Sequence, residues 1–106
     1  MVQKEIQLDN TAIYDISSGE CNAQGIAVNI PNTELKILQV RCKSGMLFCG
    51  LFSKEVLEKL DFPAAVFSAP AFSDMLERKP LFLTSKAIAM GATTDMTGEE
   101  LLVLFS

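Results

Sequence analysis

The feature that most constrains the fold is a strand–helix–strand pattern over residues 46–69. Residues 46–51 have the apolar character of a strand, and Ser53 can cap the short helix SKEVLEKL that follows. Phe62-Pro63 ends this helix, because a residue before proline is biased away from helical conformation. Residues 64–69 then form a nearly continuous apolar run, which is typical of a strand buried on both faces. The pattern predicts a compact, right-handed βαβ unit.

A hairpin is expected just before this unit. A tight connection at residues 43–45 would join a strand over residues 35–42 to the first strand of the βαβ unit, with Gly45 free to take positive φ. If the last two residues of the connection form the loop, Cys42 and Cys49 share one face as diagonal neighbours. Their spacing would be roughly 7–8 Å, which suits a disulfide poorly. A three-residue loop would instead place the two cysteines on opposite faces, and both arrangements remain open.

The flanking segments complete the expected architecture. Residues 2–8 and 24–30 read as strands, while residues 9–23 are rich in turn formers and read as a loop or irregular hairpin. Short helices are expected after Pro70 and over residues 85–90, separated by a further strand. The sequence therefore predicts a single α+β domain over residues 1–106, with a mixed β-sheet, an antiparallel hairpin, one βαβ unit and about three to four short helices.

The last of these helices opens with a capping box. Thr97 caps the helix, and Glu100 at the third helical position reaches back to it. The segment ELLVLF that follows is apolar nearly all round, so this helix must be buried on more than one side. It lies either inside the domain or against another subunit. With a chain that is 49% hydrophobic, this favours a homo-oligomer with a subunit contact through the helix.

The chain contains no histidine. Metal sites built on His, and catalytic arrangements of the Ser-His-Asp and Cys-His types, are therefore excluded. We expect no metal and no other cofactor. Any catalysis would have to rely on cysteine, carboxylates, lysine, tyrosine or backbone dipoles.

The charged residues argue against two classes of partner. Nine basic and thirteen acidic residues give a net charge of −4, and the basic residues are scattered. No basic stripe is present to neutralise a run of phosphates, so we expect neither nucleic acid nor a membrane surface as a partner. An odd number of cysteines without a C-x-x-C pair, and a first segment without an apolar signal core, predict a soluble cytoplasmic protein.

Several short segments together carry a family resemblance. They are GMLFCGL at 45–51, EVLEKL at 55–60, AAV at 64–66, TSKA at 84–87 and MTGEEL at 96–101. In this combination the chain resembles the YunC-like family of uncharacterised bacterial and archaeal proteins over roughly residues 24–106. The resemblance implies a small, self-associating α+β domain and no established reaction.

The chain departs from the family pattern at two places. Ser68-Ala69-Pro70-Ala71 stands where the family usually has a Gly-Val-Arg-Thr-like turn, so this turn has no arginine. Asp95 stands where the family usually has a glycine before Met-Thr-Gly. If the family arginine binds an anion, this chain lacks that group at the turn.

The candidate site lies at the end of the first βαβ strand. Cys49 is expected near the carboxyl end of that strand, the edge at which open α/β sheets place ligands. Gly50 would allow close backbone approach, and Ser68 follows the second strand of the unit, so all three are candidate ligand-binding residues. Cys49 is also the candidate catalytic residue. It is alternatively a buried cysteine that acts as a small hydrophobe, which is the favoured interpretation.

Three functions follow from these observations. The first is a small non-catalytic protein that self-associates and binds a metabolite or a protein partner. The alternative is a cysteine-dependent enzyme that acts on a small molecule through Cys49. The third is a purely structural interaction module.

Overall fold

A computed structural model of the protein describes residues 2–106, which form seven strands and four short helices. The strands are β1 (Val2–Gln7), β2 (Thr11–Ser18), β3 (Cys21–Asn29), β4 (Lys36–Arg41), β5 (Met46–Cys49), β6 (Ala64–Phe67) and β7 (Phe82–Leu83). The helices are α1 (Lys54–Lys59), α2 (Phe72–Glu77), α3 (Ser85–Ala89) and α4 (Gly98–Leu104). None of the helices in this part of the chain is long and apolar enough to cross a membrane.

All seven strands belong to one mixed sheet, and their order in the sheet equals their order in the chain. Only β5 and β6 pair in parallel, through α1, and every other neighbouring pair in residues 2–106 is antiparallel. The α+β fold with one βαβ unit is therefore confirmed. All four residues of β6 are buried, as its apolar run predicts.

Of the two alternatives expected over residues 9–23, a loop is wrong and a hairpin is present, but the hairpin is regular and continues into the strand that was expected to begin at residue 24. Strand β2 is eight residues long and pairs with β3 without interruption, and Gly19 takes a φ of +61° in the turn between them. Ala12 and Ile16 face the core, while Asp15 lies on the opposite face. The turn-forming residues of β2 are therefore partly buried members of a strand whose other face packs on the core.

The β4–β5 hairpin turns one residue earlier than expected. The Cys42 N–H donates to the Gly45 carbonyl at 3.0 Å, so Lys43 and Ser44 form the loop. Cys42 and Cys49 still lie on the core side of the sheet. Gly45 does not take positive φ; instead, a Cβ there would lie 2.7 Å from the ring of Phe105. The glycine is required by packing and not by the turn.

Helices α2 and α4 cover the core face of the sheet. The residues of α4 that carry this packing, Leu101 and Leu102, are fully buried in the domain together with Phe105. The capping box is confirmed, since the Thr97 hydroxyl accepts from the Glu100 N–H and the Glu100 carboxylate accepts from the Thr97 N–H. Of the two open placements for this helix, the structure shows the one inside the domain. Val103 alone among its large apolar residues is strongly exposed, which leaves little for a subunit contact there.

Helix α1 covers only part of the opposite face. Its Leu57 packs with Phe48, Ala64 and Val66, which belong to β5 and β6. Among residues 2–106 no helix joins a core cluster on that face of β1–β4. The sheet is therefore covered on both faces at its β5–β6 part and on one face elsewhere.

Two polar contacts tie the βαβ unit to α3. The buried Thr84 hydroxyl accepts from the Ala64 N–H and donates to the Phe62 carbonyl, each at 2.9 Å. The Glu58 carboxylate, from α1, accepts from the Ser85 N–H at 2.7 Å and from the Ser85 hydroxyl at 2.6 Å. It thereby caps the first turn of α3, and these bonds lower the pKa of Glu58.

Candidate functional site

The structure brings the three sequence-derived candidates together. Because β5 and β6 are parallel, both end at the same edge of the sheet, where the antiparallel β4 begins. Cys49, Gly50 and Ser68 all line one cavity of about 320 Å³ at this edge. The topology alone produces this arrangement, since each residue lies at or just beyond the end of its strand.

A second cavity of about 330 Å³ adjoins the first at Lys36 and Pro70, which line both. We call the two together the edge groove. Its first cavity is lined by Glu34, Leu35, Lys36, Cys49, Gly50, Leu51, Ser68, Ala69 and Pro70. Its second cavity is lined by Val2, Tyr14, Ala27, Lys36, Leu38, Pro70, Ala71, Phe72 and Ser73.

The floor of the second cavity is apolar and aromatic. Tyr14 from β2 and Phe72 from α2 meet edge to face, with ring centroids 5.0 Å apart. Phe72 itself sits on Gly25, where an added Cβ would lie 2.6 Å from Ile16 and 3.0 Å from the Phe72 ring. Glycine at this position therefore lets the aromatic pair lie close to the sheet, which sets the depth of the groove.

Lys36 supplies positive charge in the middle of the groove. It also lines a third, small cavity of about 60 Å³ beside Tyr14, which Lys4 lines from β1. The Lys4 ammonium lies 5.9 Å above the centre of the Tyr14 ring. The ion pair found within residues 2–106 joins Lys86 to Asp61, so neither Lys36 nor Lys4 is paired with a carboxylate. One acidic residue, Glu34, also lines the first cavity.

Cys49 has the environment of a structural cysteine. Its side chain is 3% exposed, and its Sγ accepts from the Leu38 N–H at 3.4 Å and lies 3.9 Å from the Lys36 carbonyl oxygen. The thiol is therefore held against the main chain of β4. No histidine exists to act as its base, and the short distance to Lys36 involves the carbonyl and not the ammonium.

A second cysteine, Cys42, is partly buried at the end of β4 and also packs against the core. Burial, with a smaller contribution from the neighbouring Cys21, raises the pKa of the Cys42 thiol to about 11. At neutral pH this thiol stays protonated, so it is a poor nucleophile. All three cysteines are free in the structure.

An arginine from the end of α2 contacts the turn that follows β6. The Arg78 guanidinium, just beyond α2, donates to the Ser68 carbonyl. Residues 68–71 contain no arginine of their own, so the guanidinium at this turn comes from a residue ten positions after Ser68. Gly50, on the other strand end, has room for a side chain, because a Cβ there would lie 3.6 Å from its nearest neighbour.

The sequence did not identify Lys36, Tyr14 or Phe72 as site residues. The alternation along β4 would have placed Lys36 on the same face as Leu38, and the alternation along β2 would have placed Tyr14 beside Ala12 and Ile16. This alternation could be used for β4, because its segment was predicted as a strand. It could not be used for β2, because its segment was predicted as a loop or irregular hairpin. In residues 2–106 no three His, Cys, Asp or Glu side chains are grouped to hold a metal ion.

The comparisons with known proteins define the fold and no more. No family model matches the chain, and no curated protein matches it. A solved structure with the same fold is that of a protein of unknown function, TA1206, from Thermoplasma acidophilum. The two are 17% identical, with a TM-score of 0.82 over 96% of this chain and 100% of the other. The resemblance to the YunC-like family therefore remains a prediction.

Proposed function

We propose that the protein is a non-catalytic binding protein that holds a small molecule in the edge groove. The molecule would combine an anionic group with an apolar or aromatic body. The observation that carries this proposal is that Lys36, which forms no ion pair among residues 2–106, lines both cavities, one of which is also lined by Tyr14 and Phe72. An apolar pocket with a few polar groups at its rim is the usual form of a small-molecule site.

The size and charge of the groove support this class of ligand. Each of its two cavities, at about 330 and 320 Å³, reaches the lower end of the range for ligand sites, about 300–1,000 Å³. An anion gains most from an ammonium that is not already in an ion pair, as for Lys36 among residues 2–106. Glu34, which also lines the first cavity, disfavours a second anionic group there, so one anionic group per ligand fits best.

The alternative of a cysteine-dependent enzyme through Cys49 has less support. A nucleophilic thiolate needs a nearby cation or base and access to the substrate. Cys49 is buried and hydrogen-bonded to the main chain, and its role in the groove is to hold β4 against β5. A family relationship to YunC-like proteins, and a cytoplasmic location that keeps three cysteines reduced, are part of the same proposal.

The test uses an aromatic sulfonate, 8-anilinonaphthalene-1-sulfonate, as the probe. Tyr14 is the single tyrosine of a chain without tryptophan, so its emission reports from the groove itself. We expect the probe to quench this emission saturably at low salt. Lys36→Met keeps the apolar stem and removes the charge, and we expect it to weaken binding about fivefold to tenfold.

Lys79→Met is the matched control, because Lys79 is exposed and lines neither cavity of the groove. Equal affinity of Lys36→Met and the unmodified protein would contradict the proposal, as would quenching that never saturates. Rapid labelling of native Cys49 by a thiol reagent at neutral pH would instead support the enzyme alternative.

A further inference from the structure

A register shift in β1 brings two polar side chains to the core face of the sheet. Lys4 lies opposite Tyr14, whereas Gln7 lies opposite Ala12, because the register shifts between Lys4 and Ile6. Tyr14 and Ala12 are two residues apart in β2 and therefore share a face. Residues three positions apart in a regular strand point to opposite faces, so the shift is what places Lys4 and Gln7 on the same face. Both side chains line the third cavity.

The third cavity has small residues at its base and a lysine on each side. Ala12 and Ala27 are directly opposite each other in β2 and β3, and both are buried and line the cavity. Lys4 lines it from β1 and Lys36 from β4, which are the strands on either side of this alanine pair. No acidic side chain of residues 2–106 lines the cavity, and neither lysine is in an ion pair within that range. Two positive charges therefore border a space without a carboxylate.

The amide side chains around the cavity add hydrogen-bond donors. The Lys4 ammonium donates to the Gln7 side-chain oxygen at 3.0 Å, which orients the ammonium and uses one of its three N–H groups. The side-chain oxygen of Asn10 accepts from the Thr11 hydroxyl at 3.3 Å, so the amide nitrogen of Asn10 remains a donor. Asn29, from the end of β3, lines the cavity as well. Positive charge with an excess of donors is the chemistry that recognises an oxyanion.

We propose that the third cavity binds the phosphate group of a phosphate monoester whose aromatic or apolar body lies in the second cavity of the edge groove. The proposal rests on the function proposed for the groove, and it names the class of ligand. The two cavities share Tyr14, Ala27 and Lys36 in their walls, so one molecule can occupy both. Their volumes, about 60 Å³ for the third and about 330 Å³ for the second, suit a compact charged group and a larger body respectively.

A phosphate group suits this cavity better than a carboxylate. Near neutral pH a phosphate monoester carries a charge of about −1.5 to −2 and three acceptor oxygens. A carboxylate carries a single charge and two oxygens. Lys4 and Lys36 come from strands on the two sides of the cavity, so each ammonium can bind a different phosphate oxygen. A carboxylate would leave one of the two ammonium groups uncompensated.

The test compares two ligands with the same aromatic body, 2-naphthyl phosphate and 2-naphthoate, by isothermal titration calorimetry at low salt. Calorimetry is needed because Lys4 lies over the Tyr14 ring, so replacing Lys4 would itself alter the emission of that ring. We expect the phosphate to bind about tenfold more tightly than the carboxylate. Lys4→Met keeps the aliphatic stem without the charge, and it should reduce this preference to about threefold or less. Lys79→Met, at an exposed position that does not line the third cavity, should leave the preference unchanged.

The results distinguish failure of the phosphate site from failure of the groove. Equal affinity for the two ligands, or a preference that Lys4→Met does not reduce, would overturn the phosphate site and leave the groove as a ligand site, since both ligands would still bind. If neither ligand bound saturably, both proposals would fail.

Inorganic phosphate distinguishes an ester from the free ion. It makes no contact in the second cavity, so we expect it to displace 2-naphthyl phosphate only at a concentration at least about tenfold higher than the ester itself requires. Displacement at equal concentration would show that the cavity takes the free ion, and the assignment of a phosphate monoester would be wrong.

Discussion

Replacing Gly98 by alanine tests how closely α2 and α4 are packed. Gly98 is the first residue of α4, and its N–H donates to the Arg78 carbonyl at 2.9 Å. A Cβ built there would lie 2.0 Å from the Met75 carbonyl oxygen and 2.9 Å from the Leu76 Cα. These are backbone atoms, so no side-chain rotation relieves the overlap, and the two helices must separate by more than 1 Å.

The magnitude follows from what the separation would disturb. Met75 and Leu101 are fully buried, and a gap of 0.5–1 Å already forfeits roughly a quarter to a half of each dispersion contact. Overpacking of this kind costs about 1–3 kcal/mol, and the rigid contact places Gly98→Ala at the upper end. The better helix propensity of alanine returns at most about 1 kcal/mol. We expect a net loss of about 2–3 kcal/mol in the free energy of unfolding.

Urea unfolding, followed by circular dichroism, measures this loss. With an m-value of about 1.5 kcal/mol/M, the midpoint should fall by about 1.3–2 M. Gly50→Ala is the control, because its Cβ would meet no atom closer than 3.6 Å, and its midpoint should stay within about 0.3 M of the unmodified protein. A Gly98→Ala midpoint as close as that to the unmodified protein would refute the packing argument.

Two further predictions concern pH. The lowered pKa of Glu58, caused first by its bonds to Ser85, means that its stabilising effect is present above the unfolded pKa and is lost as pH falls through the folded one. Glu58→Gln should therefore lose less stability than the unmodified protein between about pH 5 and 3, and equal losses would contradict the assignment. Cys42 has the opposite sign, because a raised pKa favours the protonated thiol in the folded state. Its contribution is complete below the ordinary pKa near 9 and is lost as pH rises toward about 11. Cys42→Ala should lack that loss in urea unfolding, and alkylation of native Cys42 that is already maximal at about pH 9 would argue against the shift.

The sequence indicated the βαβ unit because its signals are local. A capped helix, a proline after it and an apolar run all lie within residues 46–69. The regular strand β2 was not predicted because it contains the turn formers Asp15, Ser17 and Ser18, which made the segment resemble a loop or irregular hairpin. The role of Gly45 could not be read from its neighbours, since the group that requires it, Phe105, lies at the other end of the domain.

The residues of the candidate site also fall into two groups, those that the sequence could place together and those that it could not. Cys49, Gly50 and Ser68 could be grouped in advance because parallel strands end at one edge. Lys36 enters the groove only because β4 lies next to β5, and Tyr14 only because β2 lies two strands further along the sheet. Those positions depend on the sheet order, which the sequence left open.

The agreement between sheet order and chain order has a consequence for how the chain acquires its structure. Every strand pairs with its neighbour in sequence, so each pairing closes a short loop and can form as soon as its second strand is made. Helix α4, which covers the core face of the sheet, follows all the strands of residues 2–106 in the chain. It packs back onto β2, β3 and β5, so its contacts are distant in sequence. Glu99, for example, accepts from the Ser18 hydroxyl at 2.7 Å, across 81 positions of the chain. We therefore expect the strands to pair before α4 covers the core face, so that this apolar surface is accessible to chaperones and to other chains until residues 98–105 pack on it.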